Sequence, residues 1–122
     1  MYTIINLKLF KFFKINMANY SRSTLQILQT FGQMIRLARL ERKMPQIELA
    51  ERLGVSRQTV SALEQGEPKV GIGIVFEAAV IVGIPLLAPD RPTLDKLSTV
   101  VGGLATLLPS RTGGVKELSD DF

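Results

Sequence analysis

The chain has no cysteine and no histidine in its 122 residues. Without cysteine there is no disulfide and no thiol nucleophile. Without histidine there is no imidazole base, and the usual zinc sites go with both. Carboxylates alone can hold a metal, but no oxygen-rich loop of the calcium type occurs. No metal and no cofactor is therefore expected. No nucleophile–base pair and no phosphate-binding loop occurs either, so an enzyme is not expected. The lack of cysteine fits a reducing, cytoplasmic setting.

What is present is an apolar share of 46%, enough for a core in a chain long enough for one domain. The charge is unevenly placed. Residues 1–57 hold ten Lys/Arg and three Asp/Glu, a net of +7; residues 58–122 hold five and eight, a net of −3. A basic front half points to a polyanionic partner, nucleic acid or a membrane surface. Charge alone does not separate these from a plain solvated basic face.

The first 16 residues are apolar and aromatic and carry Lys8, Lys11 and Lys14 with no acid. A secretory signal needs an uninterrupted apolar run after a charged start, which these lysines break. A basic amphipathic segment on a membrane is an alternative. The preferred reading is a poorly ordered extension over 1–20, with Met17 as an alternative start.

From Leu25 to Lys43 the pattern is helical, with Leu28, Phe31, Ile35 and Ala38 at three- and four-residue steps. Pro45 stops this helix and can open the next. Gln46–Leu53 reads as a short helix with Leu49, Ala50 and Leu53 on one face. Gly54 follows where a left-handed backbone is needed. Ser56 is a good N-cap for a third helix over 56–65, closed by Gly66.

Val70 to Ala88 is apolar apart from Glu77, close to the roughly 20 residues of a membrane span. Glycines, Pro85 and a mid-segment carboxylate argue against a span; that charge alone costs about 2.5–3.5 kcal/mol. The segment reads as a buried helix over 71–82 and a turn at Gly83-Ile84-Pro85. Thr93 can cap a last helix to about Leu108, striped by Leu94, Leu97, Val101, Leu104 and Leu108. Gly102-Gly103 weakens it. The polar, acid-ended tail over 109–122 is expected to be flexible.

Two short helices joined by a tight glycine turn are what a helix-turn-helix needs. In such a motif the second helix enters the major groove and its first residues meet base edges. Small Ala50 lets the helices approach, and Val60 and Leu63 face inward. Arg57, Gln58, Ser61 and Gln65 then fall on the outer face. Arg can bind guanine O6 and N7 bidentately, and Gln can do the same to adenine. Gln46, at the start of the first motif helix, is placed to bond a phosphate and to brace Gln58. A solvated helix start would use many of the same residues, so the weight lies on the whole pattern.

The run "QIELAERLGVSRQTVSALEQG" closely resembles the Xre/Cro/C1-type helix-turn-helix family. The resemblance covers about Phe31 to Leu87. It implies an all-α fold, a compact five-helix bundle of the lambda-repressor-like type; here a C-terminal helix and flexible termini are added. It implies a homodimer on double-stranded operator DNA. By position it implies DNA contacts from Gln46, Arg57, Gln58, Thr59 and Ser61; Ser56 at the helix start and Gln65 on the outer face complete the expected DNA-binding set. It also implies a structural salt bridge between Arg39 and Glu64. The family usually has Ser or Thr where this chain has Pro45, so that cap is lost. Ala62 can offer only a methyl contact to thymine.

The following stretch, "EPKVGIGIVFEAAVIVGIPLLAPDR", and the tail resemble HipB-type antitoxins. That resemblance implies autoregulation of an operon and a HipA-type kinase toxin as partner. The domain plan is then an extension at 1–20, a DNA-binding domain at 25–88, a helix at 93–108 for a dimer or partner contact, and the tail. A stand-alone repressor without a toxin is the first alternative. A membrane-associated protein using 1–16 and 70–88 is the remote one.

Overall fold

The computed structural model describes residues 19–109, which form five helices and no strand. This is the all-α class expected. The extension and the acidic tail lie, but for Asn19, Tyr20 and Pro109, outside the described residues. The helices are α1 (Arg22–Glu41), α2 (Gln46–Leu53), α3 (Arg57–Glu64), α4 (Ile72–Ile81) and α5 (Arg91–Thr106). The chain divides into two compact units at Ile84/Pro85, with α1 to α4 in the first and α5 in the second.

Helix α1 begins three residues before the expected Leu25. The cause is local: Ser21 takes an extended backbone, and its side chain accepts a hydrogen bond from the Thr24 N–H. The helix also ends before the expected Lys43, which adopts a left-handed φ of 54°. That turn drops Met44 into the core.

The buried line of α1 differs from the apolar stripe. Gly32, Ile35 and Arg39 are buried, whereas Leu28, Phe31 and Ala38 are half-buried. Gly32 is where α1 crosses the end of α3. A Cβ there would lie 2.5 Å from the Leu63 carbonyl oxygen and 2.7 Å from that of Glu64.

Helix α2 packs on α3, α1 packs on α3, and α4 packs on α2. Ile35, Met44, Leu49, Ala50, Val60, Leu63, Ala78, Ala79 and Val82 form the core between them. Burying a Val, Leu or Ile side chain is worth about 1.5–3 kcal/mol. Helix α4 spans one residue less at each end than the expected 71–82, and Gly83 closes it at a φ of 83°. Its outer stripe of Ile72, Phe76 and Val80 stays exposed.

Helix α5 is not capped by Thr93. Asp90 caps it, accepting the Thr93 N–H at 2.8 Å, with Pro92 inside the first turn. A carboxylate at this position answers an unpaired N–H and the positive end of the helix dipole together. No helix among the described residues is long and apolar enough to cross a membrane.

Candidate nucleic-acid interface

The site is built on the two shortest helices. Pro45 opens α2 with an extended backbone and no side-chain hydrogen bond, as its chemistry dictates. Gly54 ends α2 at φ 71°, ψ 31°. A side chain is strained in that left-handed region, so glycine makes the tight turn to α3. Ser56 then caps α3: its Oγ accepts the Thr59 N–H at 3.1 Å and lies 3.0 Å from Thr59 Oγ1. The two hydroxyls are thus paired at the helix start. Gly66 follows α3 at a φ of 78°.

Arg57 and Gln58 occupy the first turn of α3 and are exposed. Thr59 and Ser61 are half-buried, and Gln65, at the C-cap, is exposed. Gln65 Nε2 donates to Ser61 Oγ at 3.3 Å, one turn away. Val60 and Leu63 face the core, as the pattern requires. Arg57, Gln58, Ser61 and Gln65 therefore share the outer side of α3, with Arg57 and Gln58 leading.

Behind them lies a buried ion pair. Arg39 and Glu64 are each only 5% exposed. Arg39 Nε donates to Glu64 Oε2 at 2.6 Å, and its Nη2 donates to Oε1 at 3.0 Å. The third guanidinium nitrogen, Nη1, donates to the Met44 carbonyl at 2.8 Å. A bidentate fork of this kind is the geometry in which a buried pair holds. It ties α1 to α3 through the connection before α2.

Gln46 extends this network to the surface. Its Nε2 donates to Glu64 Oε1 at 3.0 Å. Its Oε1 accepts from Arg57 Nη1 at 3.0 Å. The expected brace to Gln58 is thus replaced by one to Arg57. The reason is chemical: an amide fixed by donating to Glu64 points its oxygen outward, and a guanidinium is a better donor to that oxygen than a second amide. Sequence reasoning missed both bonds. Gln46 and Arg57 each stand first in their helix, and that shared position was the available signal.

A shallow groove runs from Gln58, Thr59 and Ala62 to Lys69, Val70 and Gly71 at the start of α4. Gly71 caps α4 without a side-chain acceptor. The first N–H groups of α4 are therefore left to water or an anion.

Residues 35–87 match a family model described as Helix-turn-helix. This stretch is a helix-turn-helix domain of the Xre/Cro/C1 type. The domain points to a DNA-binding transcription regulator. Comparisons with curated proteins and with solved structures return no match. No group of three or more metal-ligating side chains occurs among the described residues.

Proposed function

We propose that this protein is a sequence-specific repressor that places α3 in the major groove of operator DNA. One observation carries the reading: Arg57 and Gln58 stand exposed at the start of α3, and Arg57 is held by Gln46 on a buried ion pair. A base-reading side chain held in place before binding loses less freedom on docking. Ser61 and Gln65 extend the same face. Gln46, Ser56 and Thr59 at the helix starts serve the phosphate backbone.

Operators of symmetric form are read by two copies related by a dyad, so the working unit is a homodimer. The test is a gel-shift titration with the DNA upstream of the gene, across a salt series. Specific binding weakens steeply with salt and keeps its sequence preference. Binding that ignores sequence at every salt concentration refutes the reading.

The narrower antitoxin role rests on the resemblance of residues 67–91 and of the tail to HipB-type antitoxins. It predicts co-purification with a kinase encoded beside the gene. A chain that binds and inhibits no such kinase is a stand-alone repressor.

A further inference from the structure

The groove between α3 and the start of α4 has an apolar floor beside Gln58, and the geometry points to its occupant: the 5-methyl group of a pyrimidine in the major groove. The protein then separates thymine from uracil, and 5-methylcytosine from cytosine, at one position of each half-site. This rests on the operator reading above and deepens it. Its test varies a single methyl group, so that it can fail while that reading stands.

The groove is formed by contacts within the domain. Gly66 leaves α3 at a φ of 78° and lies against α1, where a Cβ would be 2.6 Å from the Gln29 backbone nitrogen. The Glu67 N–H then donates to the Ala62 carbonyl at 3.0 Å, and the Val70 N–H to the Glu67 carbonyl at 3.3 Å. These bonds fix the wall that carries Val70 to the helix that carries Ala62. Ile74, in the first turn of α4, completes that wall. Ala62, Val70 and Ile74 are each half-buried, covered in part and still open to a small group.

The chemistry of the lining selects among the groups that DNA offers. Ala62, Val70 and Ile74 supply only hydrocarbon to the groove. The Thr59 hydroxyl lies 3.0 Å from Ser56 Oγ and is already paired. Lys69 at the rim has Glu67 beside it, Nζ to Oε1 at 3.6 Å. A carboxylate there opposes a phosphate oxygen, so the floor is no phosphate seat. On the major-groove edge the base oxygens and nitrogens are hydrogen-bonding groups, and the thymine methyl is the apolar one. A donor or acceptor set against hydrocarbon forfeits its hydrogen bond to water, whereas a methyl gains by leaving water.

The position agrees. Ala62 follows Gln58 by one helical turn, about 6 Å along the axis. Successive bases stand about 3.4 Å apart along the duplex. The methyl therefore belongs to a base pair within about two steps of the one that Gln58 meets. 5-Methylcytosine carries the same group on the same ring carbon, so a methylated cytosine at this place is read as thymine is.

The test is a quantitative gel shift of the full chain on duplexes of its upstream DNA. Each thymine in turn is replaced by deoxyuridine, which removes the methyl and nothing else. At one thymine of each half-site the replacement should weaken binding about fourfold, the worth of one buried methyl-sized group. With cytosine at that place, 5-methylation should tighten binding by a similar factor. Ala62→Ser puts a hydroxyl on the groove floor, and Val70→Thr puts one on the wall. Both should bring the thymine-to-uracil ratio towards one. Sequence-specific binding with no deoxyuridine effect at any thymine overturns the proposal and leaves the operator reading intact. So does an effect that persists undiminished in both variants, which places the methyl against another face. A chain with no sequence preference on the unmodified duplex refutes the operator reading, and this proposal with it.

Discussion

The two units of this chain invert each other's chemistry. In residues 19–84 a charged pair is buried and almost every side of it is satisfied; Arg39 spends all three guanidinium nitrogens on Glu64 and Met44. In residues 85–109 the apolar side chains of α5, Leu94 excepted, are exposed, and none is buried. The first unit closes the hydrogen bonds of its buried pair. The second carries an exposed apolar stripe. The first unit buries a charged pair; the second leaves its apolar stripe exposed.

The sharpest way to break this contrast is to remove one side of the buried pair. Glu64→Ala leaves Arg39 charged and buried, and frees Gln46 from its anchor. The expected loss is about 3–5 kcal/mol, read by denaturant unfolding. Replacing both partners with apolar residues, as in Arg39→Met with Glu64→Leu, should recover most of it. If the single change costs no more than a surface substitution, the pair is not what organises the first unit. A Val101→Glu change in α5 should leave that unit's stability where it was.

Gly32→Ala comes next. The added Cβ meets the carbonyl oxygens of Leu63 and Glu64, which are backbone and cannot swing aside. Overpacking of this kind costs about 1–3 kcal/mol, so the melting temperature should fall. A neutral result would mean that α1 and α3 separate easily, and that the first unit is looser than its ion pair implies. Arg57→Ala should leave stability alone and cost about 1–3 kcal/mol of operator binding, with relaxed base preference. Gln46→Ala should also weaken binding, partly uniformly across sequences through the lost phosphate contact and partly with relaxed base preference, since it holds Arg57. Quantitative gel shifts on operator variants separate the two effects. Unchanged affinity in both variants would remove α3 from the groove.

Much of this was legible because the motif obeys local rules. Pro45, Gly54 and Ser56 each dictate a backbone state, so the bounds of α2 and α3 follow from the residues themselves. The ion pair was legible only through resemblance, because no periodicity predicts an arginine on a core face. The stripe Leu28, Phe31, Ile35 and Ala38 misjudged the rotation of α1 for the same reason. Its buried line includes Gly32 and Arg39, one without a side chain and one charged, and a hydrophobic pattern registers neither. The link from Gln46 to Arg57 depends on how two amide atoms are shared in space. The start of α5 was misplaced because two capping residues, Asp90 and Thr93, stand three apart, and the first takes the role.

That cap gives the smallest expected effect and a direct probe of the second unit. The Asp90 carboxyl is held below its ordinary value of 3.8, first by the Thr93 backbone N–H and then by the Thr93 hydroxyl. Its folded value is therefore depressed relative to the unfolded chain. The sign follows: the contribution to α5 is fully present above the ordinary carboxylate value and is lost as pH falls through the lowered one. Far-UV circular dichroism should show a small acid-dependent loss of helix in the full chain. Asp90→Asn keeps an acceptor for the Thr93 N–H but cannot titrate, so the loss assigned to this cap should vanish. If the acid step persists in Asp90→Asn, the cap is not its source.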